Sequence, residues 1–171
     1  MTIPREVPLV AFEVGAPSSY LLNEGTGDYM SVNDGMFGLQ WPDQGYRNRN
    51  LGMRDIVDGT SSTIAMGETT YDFKDYLWSS SAGVLAGTPR FGTARWVVGY
   101  PRIAMGTTRY PFNVHRMPNI GGYSSMHHGG GFFLFMDASV RYFSEQTNPA
   151  VLSSISTRAE GEVVQDIEAY Q

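Results

Sequence analysis

The sequence predicts an α+β domain: predominantly antiparallel β-sheet, a short C-terminal helix and long loops. Three observations carry this expectation. Glycine and proline are abundant, at 20 and 9 of 171 residues, which suits many turns joining short strands. The apolar residues gather in short runs, the first of them close to period two, as strands require. Helix-start chemistry appears convincingly at one place, near residue 150. At this length a single domain over residues 1–171 is the default, able to bury about 68–70% of its unfolded surface without staples.

Taken in order, Val7, Leu9, Val10, Phe12 and Val14 give a strand ending near Val14, followed by turn chemistry at Gly15–Ser19. Asn23–Asp34 reads as loop, and Asp34-Gly35 as a turn leading into a short strand at Met36-Phe37. Residues 41–52 form a long polar loop. The segment Arg54–Thr63 fits one helical turn stopped by Gly59, and Thr63–Glu68 fits a strand. The stretch 78–120, broken by Gly, Pro, Ser and Thr, is the second long loop. Phe132–Met136 and Ser139–Phe143 read as two strands hinged at Asp137-Ala138, the first apolar on both faces and therefore central. Asn148-Pro149 supplies an N-cap and a first-turn proline for a helix with Val151, Leu152 and Ile155 on its apolar side.

Charge and composition exclude several functions. The formal net charge is −5 and Lys74 is the single lysine, so a phosphate-tracking nucleic-acid surface and a polybasic membrane patch both lack their residues. With no cysteine there is no disulfide scaffold, thiolate zinc site or cysteine nucleophile. The sequence holds no apolar run of about 20 residues, and Pro4 and Pro8 interrupt what would be a leader, so no signal or transmembrane segment is expected in it.

Candidate chemistry is sparse. Of His115, His127 and His128, the adjacent pair point to opposite faces if extended, and the favoured role for His127 is to bond backbone around Gly129–Gly131. Asp55, Asp58 and Glu68 offer oxygens to calcium, the one cofactor with any support, but their spacing is not that of an EF-hand loop. Asp58 and Thr60 fit better as turn-fixing side chains. The elbow G-x-S-x-G is absent around Ser124, Ser125 and His127. Trp41, Trp78 and Trp96, with Arg95, could stack on a sugar or another solute.

Several stretches together resemble a known family. They are Ser19-Tyr20-x-x-Asn23-x-Gly25, Asp34-Gly35-x-Phe37, Asp55-Ile56-x-Asp58-Gly59-Thr60-Ser61-x-Thr63-Ile64 with Glu68, His127 with nine residues to Asp137 before Ser139-Val140-Arg141, and Gly161-Glu162-Val163. In order and spacing, from about residue 18 to 164, they resemble the planctomycete-type domain of unknown function that follows a prepilin-type segment and bears the signature H-x9-D-G. The resemblance implies a pilin-like or pseudopilin-like globular head at the cell surface or in the periplasm. Such a head would be non-enzymatic and would act by self-assembly or contact with protein partners. An extracellular carbohydrate- or solute-binding module is the alternative, and a hydrolase the third reading. Members carry an apolar N-terminal helix, so membrane contact is expected only through a segment of that kind.

The resemblance casts Asp55, Asp58, Gly59, Thr60, Glu68, His127, Asp137, Ser139 and Glu162 as fold determinants. Asp58-Gly59-Thr60 would form a turn, His127 and Asp137 would bracket the core strand, and Gly161-Glu162 would end the last helix. His127 would fold back to pair with Asp137 or Glu68. Ala138 stands where the signature has glycine, so the turn there either needs no positive φ or tolerates modest strain.

Overall fold

A computed structural model describes residues 3–4, 14–15, 18–27, 33–38, 51–70, 72–77, 80–87, 89–91, 99, 102–114 and 121–162. Its centre is a five-stranded sheet in the order β7-β3-β4-β8-β9. The strands are β3 (Tyr20–Gly25), β4 (Ile64–Glu68), β7 (Met105–Thr107), β8 (Gly130–Phe135) and β9 (Val140–Ser144). Every pairing is antiparallel except β3 with β7. Two small pairs lie apart from it: β1 (Ile3–Pro4) with β2 (Val14–Gly15), and β5 (Asp72–Leu77) with β6 (Pro89–Phe91). One short helix, α1 (Pro149–Ser154), follows the sheet. This is the α+β, mainly antiparallel architecture that the sequence predicts.

The hairpin β8–β9 forms for local reasons. Alternation sends Phe133, Phe135 and Phe143 to one face, where all three are buried, and leaves Phe132 and Val140 exposed on the other. Phe133 meets Phe112, Tyr123 and Phe143 at ring-centroid distances of 5.3–5.6 Å, the tilted and edge-to-face geometry that aromatic quadrupoles favour. Gly67, opposite Phe133, makes room for this cluster, since a Cβ there would lie 2.6 Å from the rings of both Phe133 and Tyr123. In α1 the Asn148 side chain accepts from Ala150 N at 2.9 Å, Pro149 opens the first turn, and Leu152 and the following Ile155 are buried in the core.

The structure departs from sequence expectation in four places. Asn23–Gly25 is not loop but the second half of β3, because Asn23 is fully buried and finds partners for its amide inside the sheet. Met36-Phe37 is a bend, its Phe37 N donating to Asn23 O. The helical turn is a 3₁₀ turn over Met53–Asp55, ending four residues before Gly59 with Asp55 Oδ2 accepting from Gly52 N at 2.9 Å. The long loop expected over 78–120 contains β6, β7 and a 3₁₀ segment at Ser80–Leu85, elements too short to show a period. Of the strand predicted before Val14 only Val14 is described, and residues 41–50 lie outside the described ones. Among the described residues no helix is long and apolar enough to cross a membrane.

Candidate functional site

Glu68 ends β4 at the point where β4 and β8 part. Gly67 still pairs with Phe133, but Glu68 O accepts from Ser124 N at 3.0 Å. Phe132 N, which would continue the ladder, donates instead to Glu68 Oε2 at 2.9 Å. The Ser125 hydroxyl donates to the same oxygen at 2.8 Å, and His127 Nε2 stands 3.2 Å from Oε1. His127 N in turn donates to Ser125 Oγ at 3.1 Å. A Cβ at Gly131 would come within 2.9 Å of Glu68 Oε2, so the bare glycine is what admits the carboxylate. One side chain thereby substitutes for backbone pairing that the diverging strands cannot make.

His127 therefore pairs with Glu68 and not with Asp137, and its imidazole meets a carboxylate where backbone partners were the favoured expectation. Asp137 instead accepts from the hydroxyl of Ser139 at 2.6 Å and from its N–H at 2.9 Å. These bonds hold its carboxyl below the usual aspartate range, with Arg141 adding in the same direction. The imidazole of His127 packs edge-on against Phe132 at 5.4 Å, and Phe132 against Tyr142 at 5.3 Å. In a nucleophilic triad the histidine stands between serine and carboxylate. Here the carboxylate stands between Ser125 and His127, so the serine proton is held by Glu68 and not by the imidazole.

A second polar centre lies inside the sheet. Asn23 Nδ2 donates to Ile64 O at 3.0 Å and to Ser156 O at 2.7 Å. Its Oδ1 accepts from Gly25 N at 3.0 Å, from the Ser156 hydroxyl at 2.7 Å and from the Tyr123 hydroxyl at 3.2 Å. The Tyr123 hydroxyl also reaches Gly106 O at 3.2 Å. Burial, and then the nearby Glu24 carboxylate, push the Tyr123 hydroxyl well above the ordinary tyrosine range, so it stays a donor. Thr107 Oγ1 donates to Gly25 O and Gly27 O at 2.9 and 2.8 Å, closing the same corner.

The remaining predicted residues are dispersed. Asp58 Oδ1 and Oδ2 accept from Gly161 N at 2.9 Å and Glu160 N at 3.1 Å, tying the C-terminal segment to the turn that Gly59, at φ +94°, and Thr60 continue. Thr60 O accepts from Asp137 N at 3.1 Å, so this turn and the hairpin loop touch. Gly161-Glu162 does not end the helix, which stops at Ser154; Glu162 accepts the Thr157 hydroxyl at 2.8 Å. The calcium candidates Asp55, Asp58 and Glu68 each serve a different set of partners. Among the described residues no group of three or more His, Asp or Glu is placed to hold a metal ion. Trp41, Trp78, Trp96, Arg95 and His115 lie outside the described residues.

Sequence reasoning missed Ser125, Tyr123 and the hub role of Asn23. Asn23 sat in the family-like pattern, but it carries strand-breaking propensity, and the residues that satisfy it lie up to 133 positions away.

A family model described as a protein of unknown function (DUF1559), with the short name SBP_bac_10, matches residues 12–150, most of the chain. No curated protein and no solved structure matches it. The match stops within α1, so Gly161-Glu162-Val163 falls beyond it.

Proposed function

Because the chain belongs to the DUF1559 family of unknown function, we propose that it is a non-enzymatic domain of the cell surface or periplasm. Its work is assembly or partner contact, in the manner of a pilin or pseudopilin head. One observation carries this reading: the polar side chains that match the family-like pattern are spent on hydrogen bonds within the chain. Asn23, Asp58, Glu68, Asp137 and Glu162 each direct oxygens at backbone N–H groups or neighbouring hydroxyls. The outward side of the sheet leaves Tyr20, Phe132 and Val140 exposed at 44%, 40% and 62%, which suits contact more than chemistry.

The absence of cysteine makes a direct test available. A Tyr20→Cys variant, produced in intact cells, should react with a membrane-impermeant maleimide and should cross-link to neighbouring protein through a short bifunctional reagent. Labelling only after the cytoplasmic membrane is broken would overturn the reading.

A further inference from the structure

The two edges of the central sheet are finished differently. At the β7 edge, Thr107 N donates to Gly121 O at 2.9 Å, Thr107 bridges to Gly122, and all three strand residues are buried. At the other edge lies β9. The bonds Phe135 N to Ser139 O and Glu145 N to Gly129 O, both 2.8 Å, fix the alternation of the hairpin. The odd-numbered residues 139, 141, 143 and 145 face β8, so the backbone N–H and C=O groups of Val140, Tyr142 and Ser144 point outward. Ser144 O accepts from Thr147 N at 3.0 Å. Val140 and Tyr142 make no backbone hydrogen bond on that side among the described residues. The strand Val-Arg-Tyr-Phe-Ser has no proline, lysine or bulge, three of the devices that protect a free edge, and keeps one, an inward-turned charge. Its one charge, Arg141, turns to the core face, with its guanidinium 4.5 Å from the centre of the Phe135 ring.

We propose that this edge pairs with β9 of a second copy of the chain, antiparallel about a two-fold axis at Tyr142, to give one continuous ten-stranded sheet. The inference rests on the assembly reading and names its partner. The outward groups require an extended backbone; charge removes one register and the aromatic row selects another. Centring the axis on Arg141 would set the two arginines opposite each other, which is unfavourable. Centring it on Tyr142 pairs Val140 with Ser144 of the second copy and Arg141 with Phe143. It also makes Glu145 of the second copy a diagonal neighbour of Arg141 on the same face, an opposite-charge contact that offsets the other diagonal neighbour, Arg141 of the second copy. The two Tyr142 rings then meet across the seam, each already stacked edge-on against its own Phe132 at 5.3 Å. The Phe132-Tyr142 row of each copy becomes a four-ring ladder at the strand spacing of about 4.8 Å. The contact is isologous, so it closes at two copies.

The full 171-residue chain should sediment at twice its 18.9 kDa mass at high concentration and dissociate on dilution. Val140→Lys, which adds the gatekeeper the edge lacks, should sediment as a monomer with its circular dichroism unchanged. The register is read separately: Val140→Cys and Ser144→Cys chains, mixed and mildly oxidised, should form the mixed disulfide, while neither alone should form its own dimer. A wild-type mass of 18.9 kDa at concentrations up to about 1 mM, a dimer that survives Val140→Lys, or self-linked Val140→Cys as fast as the mixed product would each overturn the pairing. Cell-surface labelling of Tyr20→Cys does not depend on these outcomes. A monomer that is still labelled removes the edge pairing alone, and a dimer without label removes the surface reading alone.

Discussion

The two sides of the central sheet are held together by different physics. On the β3–β7 side a buried amide does the joining: Asn23 ties together β4, the segment after α1 and the loop bearing Tyr123 through four hydrogen bonds. On the β8–β9 side, three phenylalanines and a tight loop suffice. The difference follows from distance along the chain. A hairpin brings its own partners together, and apolar burial, which has no direction, can hold it. Segments 41 to 133 residues apart need an interaction that is wrong in every other arrangement, and a fully satisfied polar centre supplies that.

If this contrast is real, Asn23→Ala should be the most damaging substitution in the molecule. It leaves Gly25 N, Ile64 O and the Ser156 hydroxyl without their buried partners. At about 1–3 kcal/mol for each orphaned group, a loss on the order of 5 kcal/mol is expected. Urea unfolding measures it, and a loss below about 1 kcal/mol would show that water or neighbours replace the amide and would break the comparison.

Phe133→Ala should cost somewhat less, about 4 kcal/mol, because surrounding rings can partly collapse into the space. Hydrogen exchange separates the two mechanisms. The apolar cavity should speed exchange in β8 and β9 most, whereas loss of the amide should release Gly25 and Ile64 together. The same pattern in both variants would mean that the sheet behaves as one cooperative body.

Tyr123 joins the two sides, with its ring on Phe133 and its hydroxyl on Asn23. Tyr123→Phe should cost about 1 kcal/mol at neutral pH. The alkaline limb gives a second reading. Because the folded-state pKa is raised, the stability that Tyr123 contributes is complete below the ordinary value of 10.0. It falls as pH rises from there toward the folded value, since only the unfolded chain ionises readily. Between pH 7 and about pH 11 the wild type should therefore lose more stability than Tyr123→Phe. Equal losses would mean that the phenol is not shielded.

Legibility from sequence divided along the same line. The hairpin and α1 could be read because their causes are local: alternation, a two-strand apolar pattern, and Asn148-Pro149 before Leu152. The second half of β3 could not, because Asn23, Glu24 and Gly25 carry loop chemistry and become strand only when Ser156 and Tyr123 arrive from far along the chain. β7 has three residues, too few for a period. At the candidate site, Glu68 and His127 were legible as members of a pattern, yet the choice of Glu68 over Asp137 depends on where β4 and β8 separate. Ser125 gave no signal beyond its nearness to His127. Asp55, Asp58 and Glu68 do not share partners: each accepts from backbone N–H groups of its own surroundings.

The smallest effect tests whether the local side is as well optimised as it looks. Ala138 is the last of the three residues, 136–138, that link the hydrogen-bonded Phe135 and Ser139, with its N–H donating to Phe135 O at 3.0 Å and a φ of +68°. That position in such loops belongs to the left-handed region, where a Cβ costs about 1–2 kcal/mol. The strain is held down by Asp137, whose carboxylate binds both the N–H and the hydroxyl of Ser139. Ala138→Gly should remove the strain while adding freedom to the unfolded chain, for a net stabilisation of about 0.5–1 kcal/mol. Asp137 adds a pH signature to the same turn. Its folded-state pKa is depressed, so its contribution is present above the ordinary aspartate range and lost as pH falls through the folded value. If the loop is strained, the Asp137→Asn substitution should be tolerated better in the Ala138→Gly background than alone, because a relaxed turn needs less bracing. Additive effects of the two substitutions would instead mean that the brace and the strain are independent, and that the apolar packing of β8 and β9 alone sets the hairpin.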